Sequence, residues 1–276
     1  MLEIPTTLFE RVRPLFDHIA FNRPAVFTVL EGRQPGRVFV DRADDPSAVV
    51  MVSDFCYFSG SPQALDFQAD VVDLLVREVM SIREHVLFFP FTQPWLAALQ
   101  AVLQPYEPKY YERNTFDFDA RRYRELQAGW QQRIPAGFSL QPVNAATALE
   151  VGGIPELWGS VENFLSNGFG FCLVDESQPD ERSGFASSAQ TVFVGDCHAE
   201  TGVGTREAYR RRGLATAVSC AFIDHCLECG IHPDWGCVLN DASEQLAYKM
   251  GYANKHIWPF LYIHTPEHLR QKEERG

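Results

Sequence analysis

Glu200-Thr201-Gly202-Val203-Gly204-Thr205-Arg206-Glu207-Ala208-Tyr209-Arg210-Arg211-Arg212-Gly213-Leu214-Ala215-Thr216 is the stretch on which the reading of this chain turns. A strand pattern ends in small residues at Thr205, three consecutive arginines and a glycine follow, and a helix pattern opens at Leu214. Such a turn leaves the first amides of the helix unpaired and outward, at the positive end of its dipole, and Gly213 has no side chain to block close approach. An anion is expected there. The chain carries 24 basic against 36 acidic residues, a formal charge of −12, so three adjacent arginines stand out against an acidic background. A solvated basic turn is the plain alternative.

Working outward, the segment before this turn predicts strands over 138–143, 169–175, 186–195 and 199–205, with a helix over 155–167. After it come a helix over 213–229, a short strand over 235–239, a helix over 241–250 and a strand over 257–264. The first half reads as a helix over 7–21, strands over 25–31, 37–41 and 48–57, a helix around 71–79, a strand over 86–91, a helix over 95–103 and a strand over 110–118. Polar residues over 121–133, then Pro135-Ala136-Gly137, suggest a seam, so domains over 1–125 and 126–276 are expected. The strand–helix–strand order at the end of each half fits an internal duplication, and equally a chance likeness of alternating elements. Either way the fold class is mixed α/β in two layered units.

Length and composition limit the function. At 276 residues and 46% hydrophobic the chain is neither a disordered tail nor a disulfide miniprotein. Its net negative charge makes nucleic acid an unexpected partner. Seven cysteines, an odd number, and the lack of any Asn-x-Ser/Thr acceptor fit a reducing cytoplasm. The start, Met1-Leu2-Glu3-Ile4-Pro5, has no signal-peptide pattern. Residues 86–106 are uncharged, but Pro90, Pro94 and Pro105 fit a buried strand and a short helix, so no membrane span is expected.

The turn resembles the acyl-CoA-binding motif of the GCN5-related N-acetyltransferases (GNAT), Arg/Gln-x-x-Gly-x-Gly/Ala, with Arg210, Gly213 and Ala215 at its defined positions. Asn240-Asp241-Ala242-Ser243, then Leu246, Lys249, Met250, Gly251 and Tyr252, resemble the family's Asn-x-x-Ser and Lys-Leu-Gly-Phe pattern, and the likeness covers about 138–264. Within that superfamily the wording is similar to a bacterial group with an extra N-terminal region. The resemblance implies the GNAT acyl-CoA N-acyltransferase fold, with a degenerate GNAT-like first half. It implies acetyl-CoA as acyl donor, its pyrophosphate on the amides of Arg211, Arg212, Gly213, Leu214, Ala215 and Thr216, with a charge-assisted bond from Arg210. The strand Val203-Gly204-Thr205 would pair with the pantetheine arm through the main chain of Val203 and Thr205. Asn240 and Ser243 would approach from the far side.

The implied reaction is attack of an amine of a small molecule or protein on the bound thioester, driven first by proximity. Glu200, where several relatives keep a carboxylate, is the candidate general base; an exposed carboxylate paired with an arginine is the competing view, and His198 on the same strand face is the reserve. The family's usual tyrosine acid falls at Ala247. Tyr248 is adjacent, but one helical step turns a side chain by roughly 100°. Tyr248, another tyrosine, or no side-chain acid all stay open. The runner-up function is a non-catalytic acyl-CoA-binding regulatory module.

Cys226 and Cys229 with His225 and His232 lack a second ligand pair at metal spacing, so no metal is assigned and the thiols are expected to pack. In the first half, Gly60-Ser61-Pro62-Gln63-Ala64-Leu65 has no arginines and places a proline among the needed donors, so no coenzyme A is expected there. The first half is expected to cover the second and shape the acceptor pocket. A monomer and a homodimer are both compatible with the sequence.

Overall fold

In the computed structural model, which describes residues 1–62, 65–238 and 240–270, the strands are β1 (Leu2–Ile4), β2 (Arg37–Val40), β3 (Ala48–Val52), β4 (Cys56–Gly60), β5 (His85–Pro90), β6 (Lys109–Phe118), β7 (Phe138–Pro142), β8 (Gly170–Asp175), β9 (Phe185–Gly195), β10 (His198–Thr205), β11 (His232–Asp234), β12 (Gly236–Val238) and β13 (Tyr252–His264). The chain forms two units. One holds Met1–Phe21, Gly36–Arg113 and the segment from Trp258 onward; the other holds Asn22–Pro35 and Asn114–Ile257. A single cut between 125 and 126 would fall inside the helix Ala120–Gln127.

In the first unit the strand order is β1-β2-β3-β4-β5-β13, antiparallel except for the parallel β4–β5 pair. Its core gathers Val50, Phe58, Phe88, Trp95, Leu99 and Ile263. The uncharged run 86–106 is β5 followed by the helix Gln93–Leu103, and among the described residues no helix is long and apolar enough to cross a membrane. The expected helix over 7–21 is broken into a 3-10 turn, Thr6–Arg11, and one α-turn, Arg13–Phe16, with Pro14 in its first turn. The strand expected over 48–57 is a hairpin, β3 and β4.

The second unit is built on the antiparallel series β7-β8-β9-β10 with β11 added parallel to β10; β12 lies beside β6. The helix Leu214–Glu228, here the motif helix, buries Leu214, Val218, Phe222 and Ile223 in a core shared with Phe164, Leu173 and Tyr252.

Two expectations fail in this unit. The strand predicted over 25–31 is a helix, Arg23–Leu30, buried from Pro24 to Leu30. A short, largely apolar run, broken only by Thr28, shows no clear period, so a strand and a helix buried on all sides look alike in sequence. The helix lies so close to β9 that a Cβ on Gly195 would come within 2.5 Å of the Phe27 backbone. The seam expected over 121–133 is the helix Ala120–Gln127, its first amides accepted by Asp119, followed by a 3-10 turn, Trp130–Arg133. Both pack inward through one carboxylate. Tyr123 and Trp130 are buried and donate to Asp224 of the motif helix, at 2.7 and 2.8 Å.

Candidate functional site

Pairing between β10 and β11 covers His198–His232, Ala199–Pro233 and Glu200–Asp234, and there it stops. On its other side β10 stays paired with β9 down to Thr205, with an irregularity between Glu200 and Thr201. The backbone of 201–205 therefore has a sheet partner on one side only among the described residues. Arg206 donates its N–H to the Ala186 carbonyl at 2.9 Å. Because backbone groups alternate sides along a strand, Gly204 and Gly202 point to β9 and Val203 and Thr205 point to the open edge. These are the two residues whose main chain the family resemblance implies for a ligand.

The open edge runs directly into the arginine turn. Arg206 is anchored by the carboxylate of Glu150, which also accepts from Arg182 Nε at 2.8 Å. Tyr209, in the 3-10 turn Glu207–Tyr209, donates to Asp175 Oδ2 at 3.2 Å, with the Arg212 guanidinium 5.5 Å from its ring centre. Arg210 to Gly213 are exposed. Arg211 and Gly213 take positive φ, +63° and +83°. Gly213 is the N-cap of the motif helix and no side chain caps it, so the amides of Leu214, Ala215 and Thr216 have no intrahelical acceptor. Arg210 reaches back to the Thr205 carbonyl at 3.4 Å, a long, weak contact.

A cavity of about 170 Å³ opens at this helix start, lined by Trp130, Arg133, Gly213, Thr216, Ala217 and Lys249. Lys249 donates to Thr216 Oγ1 at 3.0 Å and Arg133 to Gln127 Oε1 at 2.7 Å. Two cations beside a helix N-terminus suit an anionic ligand. Arg133 escaped the sequence reading because it lay in the presumed seam.

Glu200 is 8% exposed and, across the sheet, stands opposite Phe193 and Asp234. The view of it as an exposed strand carboxylate fails. His198 shares its face and bonds through Nδ1 to Asp234 Oδ2 at 2.9 Å. For Asp234 the burial that would raise its pKa is outweighed by the hydrogen bonds from His198 and His232, and the group stays below the ordinary aspartate value. Nearby, Gln190 Oε1 and Thr201 Oγ1 are buried with no hydrogen-bond partner among the described residues. A Cβ on Gly202 would lie 3.0 Å from Gln190 Nε2, so that glycine clears space for the amide. No sequence pattern marks Gln190.

The remaining candidates sit on the helix Asp241–Lys249. Asn240 is its N-cap, accepting from the Ser243 amide at 3.1 Å, and Ser243 Oγ accepts from Trp235 Nε1 at 3.0 Å. Ala247 is wholly buried, so the position at which the resemblance puts a tyrosine belongs to the core. The Tyr248 hydroxyl donates to Glu244 Oε1 at 3.0 Å, which also accepts from Lys255 at 3.0 Å. Burial and that hydrogen bond raise the Tyr248 pKa and keep it protonated. None of the seven cysteines, all among the described residues, is in a disulfide. Cys226 is buried and its thiol pKa is raised by burial, so packing accounts for it, whereas Cys229, expected to pack beside it, is exposed at the end of the motif helix.

A mixed sheet whose fourth strand loses its parallel neighbour just before an uncapped helix start defines the GNAT acyl-CoA N-acyltransferase fold. The chain belongs to the GNAT acetyltransferase family, which matches it over residues 13–261. It is 26% identical over 258 residues, 91% of this chain and 94% of the other, to a Bacillus subtilis (strain 168) protein described as the uncharacterized N-acetyltransferase YdfB. Among solved structures, a GCN5-related N-acetyltransferase-like protein from Streptococcus suis 89/1591 superposes with a TM-score of 0.67 at 22% identity, covering 93% of this chain and 98% of that one. A tandem GNAT protein from the clavulanic acid biosynthesis pathway, solved without AcCoA, gives 0.59 at 13% identity over 96% and 98%.

Proposed function

We propose that the protein transfers an acetyl group from acetyl-CoA to a primary amine of a small molecule or a protein. The observation that carries this reading is the free edge of β10 at Val203 and Thr205 running into the uncapped amides of Leu214 to Thr216. An extended arm carrying amides adds to such an edge as a further strand, and a diphosphate suits the amides and the arginines beyond it. Arg210, Arg211 and Arg212 supply charge from outside, and Arg133 and Lys249 supply it from the cavity. Asn240 and Ser243 act through the helix cap they form.

The acceptor nitrogen, as the free amine, attacks the thioester carbonyl carbon; the C–N bond forms, the C–S bond breaks, and the nitrogen gives up one proton. Glu200 takes that proton, and its burial at the last β10–β11 pair supports the role. The leaving thiolate takes a proton from solvent or from Tyr248, whose raised pKa keeps the proton available but whose hydroxyl is engaged by Glu244. Gln190 Oε1 is a polar group available to the acceptor. The first half of the sequence acts as a degenerate copy without a coenzyme A turn. In support, β5 neighbours β13 and β12 neighbours β6, so the strand before the last helix of each half lies beside the last strand of the other half. A cytoplasmic location completes the proposal.

The test is thermal stabilisation by acetyl-CoA, followed by transfer to a panel of amines. Stabilisation that disappears in Arg210→Glu/Arg211→Glu, together with acetylated product, supports the reading. No shift at saturating acetyl-CoA rejects it.

A further inference from the structure

Two segments of one pattern, His198-Ala199-Glu200 and His232-Pro233-Asp234, lie side by side on parallel strands with each residue opposite its counterpart. Side chains alternate along a strand, so the first and third residue of each segment share a face. The result is a row of two imidazoles and two carboxylates at the terminal strand of the sheet. His198 Nδ1 lies 2.9 Å from Asp234 Oδ2 and His232 Nδ1 lies 3.0 Å from Asp234 Oδ1. The two rings are 4.9 Å apart, and one ligand-type atom from each of the three residues falls within 4.8 Å of the others.

We propose that His198, His232 and Asp234 bind one divalent transition-metal ion of the zinc class, through both Nδ1 atoms and the Asp234 carboxylate. Ligands placed tetrahedrally about zinc at about 2.0–2.1 Å are roughly 3.3 Å from one another. Each imidazole nitrogen already stands on that scale from one oxygen of the same carboxylate, His198 Nδ1 from Asp234 Oδ2 and His232 Nδ1 from Asp234 Oδ1. Imidazole and carboxylate are the donor set of zinc and its neighbours, and three protein ligands leave a coordination position open. The side chains of His198 and Asp234 are 29% and 27% exposed and that of His232 is 45% exposed, so an ion can enter from solvent.

The residues around the row hold it in place. Pro233 fixes the backbone between His232 and Asp234, and its carbonyl accepts from the buried Tyr252 hydroxyl at 3.0 Å. The Phe118 ring meets the His232 ring edge-on at 6.2 Å. Coordination at Nδ1 requires the proton to reside on Nε2 of each ring, so the ion replaces the two hydrogen bonds that Asp234 accepts in its absence. A second group of the same donor types, Glu84, His85 and His264, lies at the surface and serves as an internal comparison.

The experiment uses the untagged full chain, stripped with EDTA and titrated with Zn²⁺ by calorimetry and with Co²⁺ by visible absorption. One equivalent is expected to bind, with Co²⁺ bands typical of nitrogen and oxygen ligation. His232→Ala and Asp234→Asn are each expected to weaken binding at least tenfold, and His85→Ala to leave it unchanged; a thermal melt of each variant checks that it is folded. Lack of stoichiometric uptake by the wild type, or uptake kept by His232→Ala and lost in His85→Ala, overturns the proposal. The readout is metal binding alone, so the outcome is independent of the acetyl-transfer reading.

Discussion

Glu200 on β10 and Asp234 on β11 stand opposite one another in parallel register, and theirs is the last pair the two strands form. Above them the sheet is closed and carries the imidazole–carboxylate row. Below them β10 turns its backbone to an open edge. A carboxylate at that boundary is buried enough to be held in place and stands one residue from the first unpaired backbone group.

That position gives Glu200 a sharp test. Glu200→Gln keeps shape and volume and removes the proton acceptor. General-base contributions run to about 10²–10⁴-fold. A drop in kcat of at least a hundredfold is expected, with the thermal shift produced by acetyl-CoA unchanged. A kcat within threefold of the wild type would move the base elsewhere.

Gly213 tests the turn. At φ +83° it caps the motif helix, and a Cβ there would meet nothing within 4 Å. Any cost of Gly213→Ala is therefore one of backbone conformation rather than collision, about 1–2 kcal/mol for a left-handed L-residue. We expect a lower unfolding midpoint in urea and at least a tenfold rise in the acetyl-CoA KM, because relief of the strain moves the Leu214 to Thr216 amides. An unchanged KM with reduced stability would detach these amides from binding.

The strand, the arginine turn and the motif helix are legible in the sequence because each has its own period and the break between them is marked by Gly213. The sides taken by Val203 and Thr205 follow from strand alternation. Other features depend on partners distant along the chain. The run Pro24 to Leu30 is buried on every side and apolar but for Thr28, so only its packing on β9 shows it to be a helix. Tyr123 and Trp130 are single aromatics among charges, and their burial is set by Asp224, about a hundred residues on. The His198–Asp234 contact joins residues 36 apart and exists only because β10 and β11 pair in one register.

Asp224 ties the helix Ala120–Gln127 and the turn Trp130–Arg133 to the motif helix. Replacing it by alanine leaves the Trp130 indole N–H without an acceptor and leaves Tyr123 only the Cys220 carbonyl, at 3.1 Å. Losing hydrogen bonds to a charged group and orphaning a buried donor costs about 2–3 kcal/mol. Denaturation in urea should show that loss for Asp224→Ala and a smaller one for Asp224→Asn, which still accepts. Equal stability of all three proteins would mean that Trp130 and Tyr123 are held by packing alone.

The Glu150 carboxylate couples acid stability to the site through Arg206, the residue that ends the open edge. Its pKa is lowered, chiefly by the hydrogen bond from Arg182, with burial opposing and the charges of Arg182 and Arg206 adding. A carboxylate lowered in the folded state contributes stability that is present in full above the ordinary glutamate value of about 4.3 and is lost as pH falls through the lower folded value. The wild type should therefore melt above Glu150→Gln at pH 6, and the gap should narrow as pH falls below the ordinary glutamate value of about 4.3 and close once it passes the lower folded value, where the wild-type side chain is protonated too. Because the charged Glu150 carboxylate is the anionic partner that orients the Arg206 guanidinium, beside weaker contacts to the Arg182 and Ser183 carbonyls, the acetyl-CoA thermal shift should weaken over the same interval in the wild type. In Glu150→Gln it should be weak throughout, and a gap that stays constant with pH would show that the pair holds Arg206 by shape rather than charge.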